Sequence, residues 1–208
     1  MILDLHNHSI KSDDGRAKVE NYCQWIRKRG LPIDGFVLTE HRQFDAESDY
    51  RGLEDRTGLL ILKGSEVETD YGHVLVFGVN SDMLAAFDFG RVDLSLERVL
   101  REVSRCGGVA VPCHPGRPRV GMCAHVEQRG AVEGVEIVET LNGGSRGREN
   151  QVAASLAERM GYRGVGGSDA HIVSHIGRCA TRFEREIASI EDLVGALRAG
   201  GYEAVQWE

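Results

Sequence analysis

His6 and His8, Glu40 and His41, Glu66 and Glu68, His73, the Cys113–His114 pair, Glu139, and Asp169 with His171 all sit at the edges of short apolar runs. Residues two apart on an extended chain point to the same side, so His6 with His8, and Asp169 with His171, can each offer two donors to one cavity. Singly, each residue has an ordinary explanation. A lone histidine after a strand is more often a surface or hydrogen-bonded residue than a ligand. Glu40 or Glu68 alone reads as a solvated acid or as a support for a ligand. Repetition at successive strand ends changes the reading. Buried imidazoles and carboxylates without partners cost several kcal/mol each, and shared cations account for the whole set. Nitrogen and oxygen donors without thiolate suit zinc, manganese or iron. The donors outnumber the roughly four that one zinc takes, so two or three divalent ions are expected.

The elements that must position these donors alternate between β-like runs and amphipathic helices. Strands are predicted at Ile2–His6, Gly35–Thr39, Leu59–Lys63, His73–Phe77, Val109–Pro112, Val135–Thr140, Arg163–Gly167 and Tyr202–Gln206, each rich in Val, Ile or Leu. Helical spacing appears at Val19, Tyr22, Cys23 and Ile26, stopped by Gly30 and Pro32. It recurs at Leu96, Val99, Leu100 and Val103 before Gly107–Gly108, and at Ala153, Leu156, Ala157 and Met160 before Gly161. The last helix carries Ile190, Leu193, Val194 and Leu197, opened by Ser189 with Asp192 at the capping-box position. Such alternation predicts an α/β fold with a mostly parallel sheet, closed or nearly closed into a barrel. In barrels of that kind functional residues gather at the C-terminal ends of the strands. With no repeat or linker in view, the expectation is one domain over residues 1–208.

Composition narrows the partner more than the chemistry. The 208 residues are 41% apolar and 27% charged, with a formal net charge of −7. That balance predicts no extended nucleic-acid surface and no membrane surface, both of which call for a basic stripe. A narrow phosphate site survives, because a few metal ions reverse the local field. MILDLHNHS places an acid and two histidines by residue eight, unlike a signal peptide. Five cysteines without a CxxC pair fit a reducing compartment, and a cytoplasmic location is expected. Paired thiols for a structural zinc are absent. His125 lies in a charged helical stretch and reads as a surface residue, His175 as a further candidate cavity residue, and Cys113 as a small apolar packing residue.

Taken together, DLHNHS at 4–9, Ser12-Asp13, LTEH at 38–41, GSEVE at 64–68, CHPGRP at 113–118 and GGSDAH at 166–171 resemble the PHP (polymerase and histidinol phosphatase) family in order and spacing. The stretch VETLNGGSRGRENQVAASLAERMG at 138–161 is similar to the C-terminal segment of short, stand-alone members. The resemblance implies a distorted (βα)7 barrel with up to three metal ions at the C-terminal strand ends. It implies His6, His8, Asp13, His41, Glu66, His73, His114, Asp169 and His171 as ligands, with Glu66 bridging two ions. His6, His8 and Asp169 would complete one shell, His73 and His114 the second, and Asp13, His41 and His171 the third. The chain departs from the family pattern in two places. The usual threonine–aspartate before the second-strand histidine is Thr39–Glu40, a longer acid. Asp13 is followed directly by Asp14, which leaves open which carboxylate binds.

The resemblance implies a metal-dependent phosphoric ester hydrolase acting on a small phosphomonoester or nucleotide through a metal-activated water. Glu66, Asp169 and His171 are the expected catalytic residues, with Asp169 or His171 passing a proton to the leaving oxygen. Arginine forks match phosphate oxygens, which makes Arg117, Arg146 and Arg148 the expected phosphate-binding residues, with Lys11 and Arg178 as further candidates. The ligand set alone is equally compatible with amide or lactone hydrolysis. A metal-stabilised binding or regulatory module is the non-catalytic alternative.

Overall fold

Where the chain turns, the sequence supplies the residue that the turn needs. The computed structural model describes residues 1–207. Helix α1 (Val19–Arg29) follows strand β1 (Ile2–Asn7) and buries Val19, Tyr22, Cys23 and Ile26. It ends where Gly30 enters the left-handed region at φ 60° and Leu31 N–H returns to Ile26 O, a conformation that glycine adopts without a side-chain clash. The chain continues through β2 (Gly35–His41), α2 (Arg51–Thr57), β3 (Leu60–Thr69), β4 (Gly72–Phe77), α3 (Ser81–Ala86) and α4 (Leu96–Arg105). Then come β5 (Val109–Pro112), α5 (Met122–Arg129), β6 (Ile137–Asn142), α6 (Glu149–Met160) and β7 (Arg163–Gly167). A 3-10 turn at Val173–His175 leads into β8 (Cys179–Phe183), α7 (Ile190–Ala199) and β9 (Tyr202–Gln206). In α7 the Ser189 hydroxyl accepts from Asp192 N–H, while the Asp192 carboxylate reaches back to Ala188 N–H rather than to Ser189. None of these helices is long and apolar enough to cross a membrane.

The sheet is mixed, which corrects the expectation of mostly parallel strands. One sheet runs in the order β5-β4-β3-β2-β1-β8-β9, and β6 and β7 form a second. The β1–β2, β2–β3 and β6–β7 pairs are parallel, whereas β3–β4, β4–β5, β1–β8 and β8–β9 are antiparallel. The two antiparallel corners have local causes. Strand β3 runs on to Thr69 and turns directly into β4, with the Thr69 hydroxyl donating to Gly72 O at 2.6 Å. Strand β8, absent from the sequence prediction, pairs backwards along β1. The large sheet curls as a half-barrel, and β6–β7 lies between β5 and the β1–β8 pair. It is therefore not one continuous (βα)7 sheet.

Tight approach of β7 to its neighbours explains the Gly166–Gly167 pair. A Cβ on Gly166 would strike Ala180 O, and one on Gly167 would strike His6 Cβ, so only glycine fits. The inner face is lined with Leu3, Leu5, Val37, Leu62, Leu75, Val111, Ile137 and Val165. Period-two alternation then places His41 above Val37, Glu66 above Leu62, His73 beside Leu75 and Glu139 above Ile137. Strand β1 would break this pattern, because Leu5 and His6 are neighbours. Three steps along β1 (Asp4 to Asn7) face two along β2 (Phe36 to Leu38), a bulge that switches the facing side just before His6.

Candidate metal centre

The Glu66 carboxylate lies at the centre of the donor cluster, buried, with each oxygen facing a different set of imidazoles. Oε2 is 2.9 Å from His6 Nε2, 3.1 Å from His8 Nε2 and 3.3 Å from His41 Nδ1. Oε1 is 2.7 Å from His73 Nδ1 and 3.2 Å from His114 Nε2. Asp169 Oδ1 faces His8 at 3.4 Å, and His6 and His171 at 3.5 Å. Two imidazole pairs approach nitrogen to nitrogen, His6 with His8 at 3.1 Å and His41 with His171 at 3.4 Å. Three groups have all their donor atoms within 4.8 Å of one another: His6, His8, Glu66 and Asp169; His6, Glu66, Cys113 and His114; and His8, His41 and His171.

These residues fit divalent cations by their chemistry. Burial opposes charge on His8, yet its hydrogen bonds to Asp169 and Glu66 outweigh that and hold the imidazole up to about 9. Burial is likewise outweighed at His6, held well above its ordinary value by Glu139, Asp169 and Glu66. Burial drives His41 down to about 4 and lowers His114 as well. Glu66 and Asp169 stay well below the usual carboxylate range because the nearby imidazole charges, His6 first, overcome burial. Positive charge is thus demanded between the two carboxylates but cannot be carried by every ring. His114 Nδ1 is in addition buried without a hydrogen-bond partner. Backbone strain marks the same place: His114 and Asp169 adopt φ of 33° and 52°, unusual for residues with side chains.

The structure brings together His6, His8, His41, Glu66, His73, His114, Asp169 and His171. Asp13 is not among them. Its carboxylate turns outward to Arg42 at 2.6 Å, and Asp14 instead meets His171 Nε2 at 3.0 Å and His41 Nε2 at 3.5 Å. The tight turn that sends Gly15 N–H back to Ser12 O orients one carboxylate inward and the other outward. Arg117 is at the site, donating to Asp169 Oδ2 at 2.7 Å and Asn142 Oδ1 at 3.0 Å. Arg148 is not: it donates to Gln151 and lines a groove between α5 and α6. Arg146 is exposed on the loop before α6, where its backbone N–H caps onto Glu149. Lys11 pairs with Asp45 instead of facing the cluster. His125 packs near Tyr71 on α5, as a surface residue would, and Cys113 packs in the core with its sulfur 3.5 Å from Glu66.

Acids that the sequence offers outside the implied ligand set hold the donors in place. Glu139 accepts His114 N–H at 2.7 Å and Asn142 Nδ2 at 2.9 Å, and lies 3.0 Å from His6 Nδ1. A carboxylate on the far nitrogen of a histidine orients the ring. Its strand-end position was the available signal. Glu40, the longer acid, spans to the β1–α1 loop and accepts from the Ser9 and Ser12 hydroxyls at 2.6 Å each and from Ser9 N–H. Ser12 Oγ in turn accepts His41 N–H and lies 3.3 Å from His8 Nδ1. Buried Asp4 accepts from Ser168 and Gly177 N–H, and burial pushes it up to about 6.

Residues 147–202 match the PHP-associated family. A protein of Methanocaldococcus jannaschii is 25% identical over 202 residues, covering 93% of this chain and 75% of the relative. Among solved structures, PsfC of Pseudomonas syringae aligns over 99% of this chain and 91% of its own, at 20% identity and a TM-score of 0.72. A Bifidobacterium adolescentis protein, provisionally described as a metal-dependent phosphoesterase, aligns over 82% of this chain and 87% of its own, at 18% identity and a TM-score of 0.58. The lesion-specific endonuclease EndoQ of Pyrococcus furiosus aligns over 98% of this chain but 57% of its own, at 15% identity and a TM-score of 0.68. Endonuclease Q has also been solved with a 27-mer duplex carrying an abasic lesion at the active site. This corrects the expectation of no extended nucleic-acid surface, because a protein of this fold acts on duplex DNA. The physical reason is that a net charge of −7 sums the whole chain, whereas binding follows the local field around the site. The motif blocks, the matched C-terminal segment and the shared fold together support a PHP-domain protein.

Proposed function

We propose that the protein is a metal-dependent phosphoesterase, and the two-sided Glu66 carboxylate is the observation that carries this reading. With one oxygen toward His6, His8 and His41, and the other toward His73 and His114, this carboxylate would serve two cations at once. His6, His8, Glu66 and Asp169 would hold one ion, and Glu66, His73 and His114 a second. His41, His171 and Asp14 would hold a third. Zinc, manganese and iron all suit such donors. When bound, these ions act as Lewis acids toward a phosphoryl oxygen and lower the pKa of water.

The chain's own residues do the rest. Asp169 is ionised and pinned by Arg117, so it orients donors and does not supply a proton. Arg117, released from Asp169 by a competing anion, would grip a phosphate oxygen with its planar fork. His171, whose Nδ1–H is held by Asp169 O at 3.0 Å, would keep Nε2 turned to the third ion and so acts as a ligand and not as a proton donor. Nucleic-acid phosphoesters belong among the substrates, in keeping with the fold shared with EndoQ. The test is turnover by the metal-loaded protein on phosphoesters, set against amides and lactones. Hydrolysis of phosphoesters that drops at least about 100-fold in Glu66→Gln, with unchanged circular dichroism, is the expected result. Turnover confined to amides or lactones, or an undiminished Glu66→Gln, overturns the reading.

A further inference from the structure

The two tryptophans of the chain, Trp25 on α1 and Trp207 after β9, line one cleft of about 470 Å³. That volume lies in the ordinary range for small-molecule sites, about 300–1,000 Å³. Both indoles are half-buried, and two exposed arginines, Arg29 and Arg178, stand beside them. The Arg29 guanidinium lies 5.4 Å from the Trp25 ring centroid. In a chain of net negative charge, two cations flanking two indoles form a local patch of the opposite sign.

The cleft borders the donor cluster. Asn142 lines it and also accepts from Arg117, the residue that grips Asp169. The wall between them is Gly143–Gly144. A Cβ on Gly143 would sit 2.9 Å from Arg178 Cβ, on the cleft side, and one on Gly144 would sit 3.1 Å from Asp169 Oδ2 and Arg117 Nη2, on the cluster side. Two residues without side chains thus separate an aromatic, cationic cleft from the carboxylates of the site. Aromatic faces stack any nucleobase, and arginine forks take phosphate oxygens.

Resting on the phosphoesterase reading, we propose that this cleft receives the base of a nucleotide whose phosphate lies at the donor cluster. Trp25 and Trp207 supply the stacking faces, and Arg29 and Arg178 meet the phosphates of that nucleotide or its neighbour. The same chemistry is offered by a free nucleotide and by the end or interior of a nucleic-acid strand.

Because both tryptophans lie in the cleft, intrinsic fluorescence of the whole protein reports its occupancy. Titration with deoxyadenosine monophosphate and with a short single-stranded oligodeoxynucleotide should quench saturably, while 2-deoxyribose 5-phosphate, which lacks the base, should not. Trp207→Leu should weaken binding of the base-bearing ligands about fivefold to a hundredfold, the effect of losing one stacking face. Arg178→Gln, a change at an exposed side chain, should weaken it as well and guards against a misfolded tryptophan variant. Tighter binding of the oligonucleotide identifies a strand as the source, and equal binding identifies the free nucleotide; both support the proposal. Quenching by neither base-bearing ligand, or equal quenching by the sugar phosphate, overturns it. Hydrolysis of the sugar phosphate by the metal-loaded protein is scored separately. Its presence without base-dependent quenching removes the cleft proposal alone. Base-dependent quenching without hydrolysis of any phosphoester removes the phosphoesterase reading and retains the cleft as a nucleotide site.

Discussion

At Glu40 the extra methylene of glutamate over aspartate has a visible use. It lets a side chain from the end of β2 cross to the β1–α1 loop, where Ser9 and Ser12 donate to it, and through Ser12 it steadies both His8 and His41. Glu40→Gln keeps the shape but replaces one acceptor oxygen with a donor among groups that already donate. Partners of metal ligands typically change affinity by about 10–100-fold when mutated. Metal affinity of Glu40→Gln, measured by calorimetry, should fall within that span while the thermal midpoint of the metal-free protein moves little. Unchanged affinity would show that the serine loop holds itself. The Asp13–Asp14 choice also belongs to this scale. Sequence order could not separate two adjacent acids, because a turn of the chain by one residue exchanges their directions, and the Arg42 that captures Asp13 lies 29 residues away.

At the level of elements, the metal centre depends on how closely strands approach. Gly167 lets β7 press against His6, so Gly167→Ala must push β1 and β7 apart. Overpacking of this kind costs about 1–3 kcal/mol, which a urea midpoint would register, and metal affinity should fall with it. The loop after β2 has its own electrostatic pin. Burial raises the Asp45 carboxyl, but Lys11 at 2.6 Å and the Ser48 N–H overcome it and leave the group below its ordinary value. A carboxyl depressed in the folded state adds stability above its unfolded pKa and loses it as pH falls through the folded value. Asp45→Asn should therefore be less stable than the parent by about 1–2 kcal/mol at pH 7, and the gap should close as the pH falls through the depressed folded value. A gap that persists in acid would show that the pin is not electrostatic.

For the whole molecule, the donors come from strands and loops spread between β1 and the residues after β7, so ions bound there would tie the β5 edge of the large sheet and the end of β7 to β1. Such ions bind the folded chain alone and should stabilise it by mass action, about 2.7 kcal/mol at a concentration 100 times the dissociation constant. Calorimetric scans with zinc or manganese should show that rise, and a chelator should reverse it. A melting temperature indifferent to both would count against a cluster that spans the sheet.

The sequence by itself determined the alternating elements, the helix stops at Gly30 and Gly161, and nearly all of the inward-facing donors. These depend on local periodicity and on residue type, which are written in short stretches of chain. Only the tertiary structure decided that the sheet is mixed, that β8 pairs backwards with β1, and that a one-residue bulge turns His6 inward. It alone chose Asp14 over Asp13, assigned Arg117 to Asp169, and set both tryptophans in one cleft beside the site. Strand direction, facing side and proximity are properties of pairs of segments distant in sequence, so no single segment carries them.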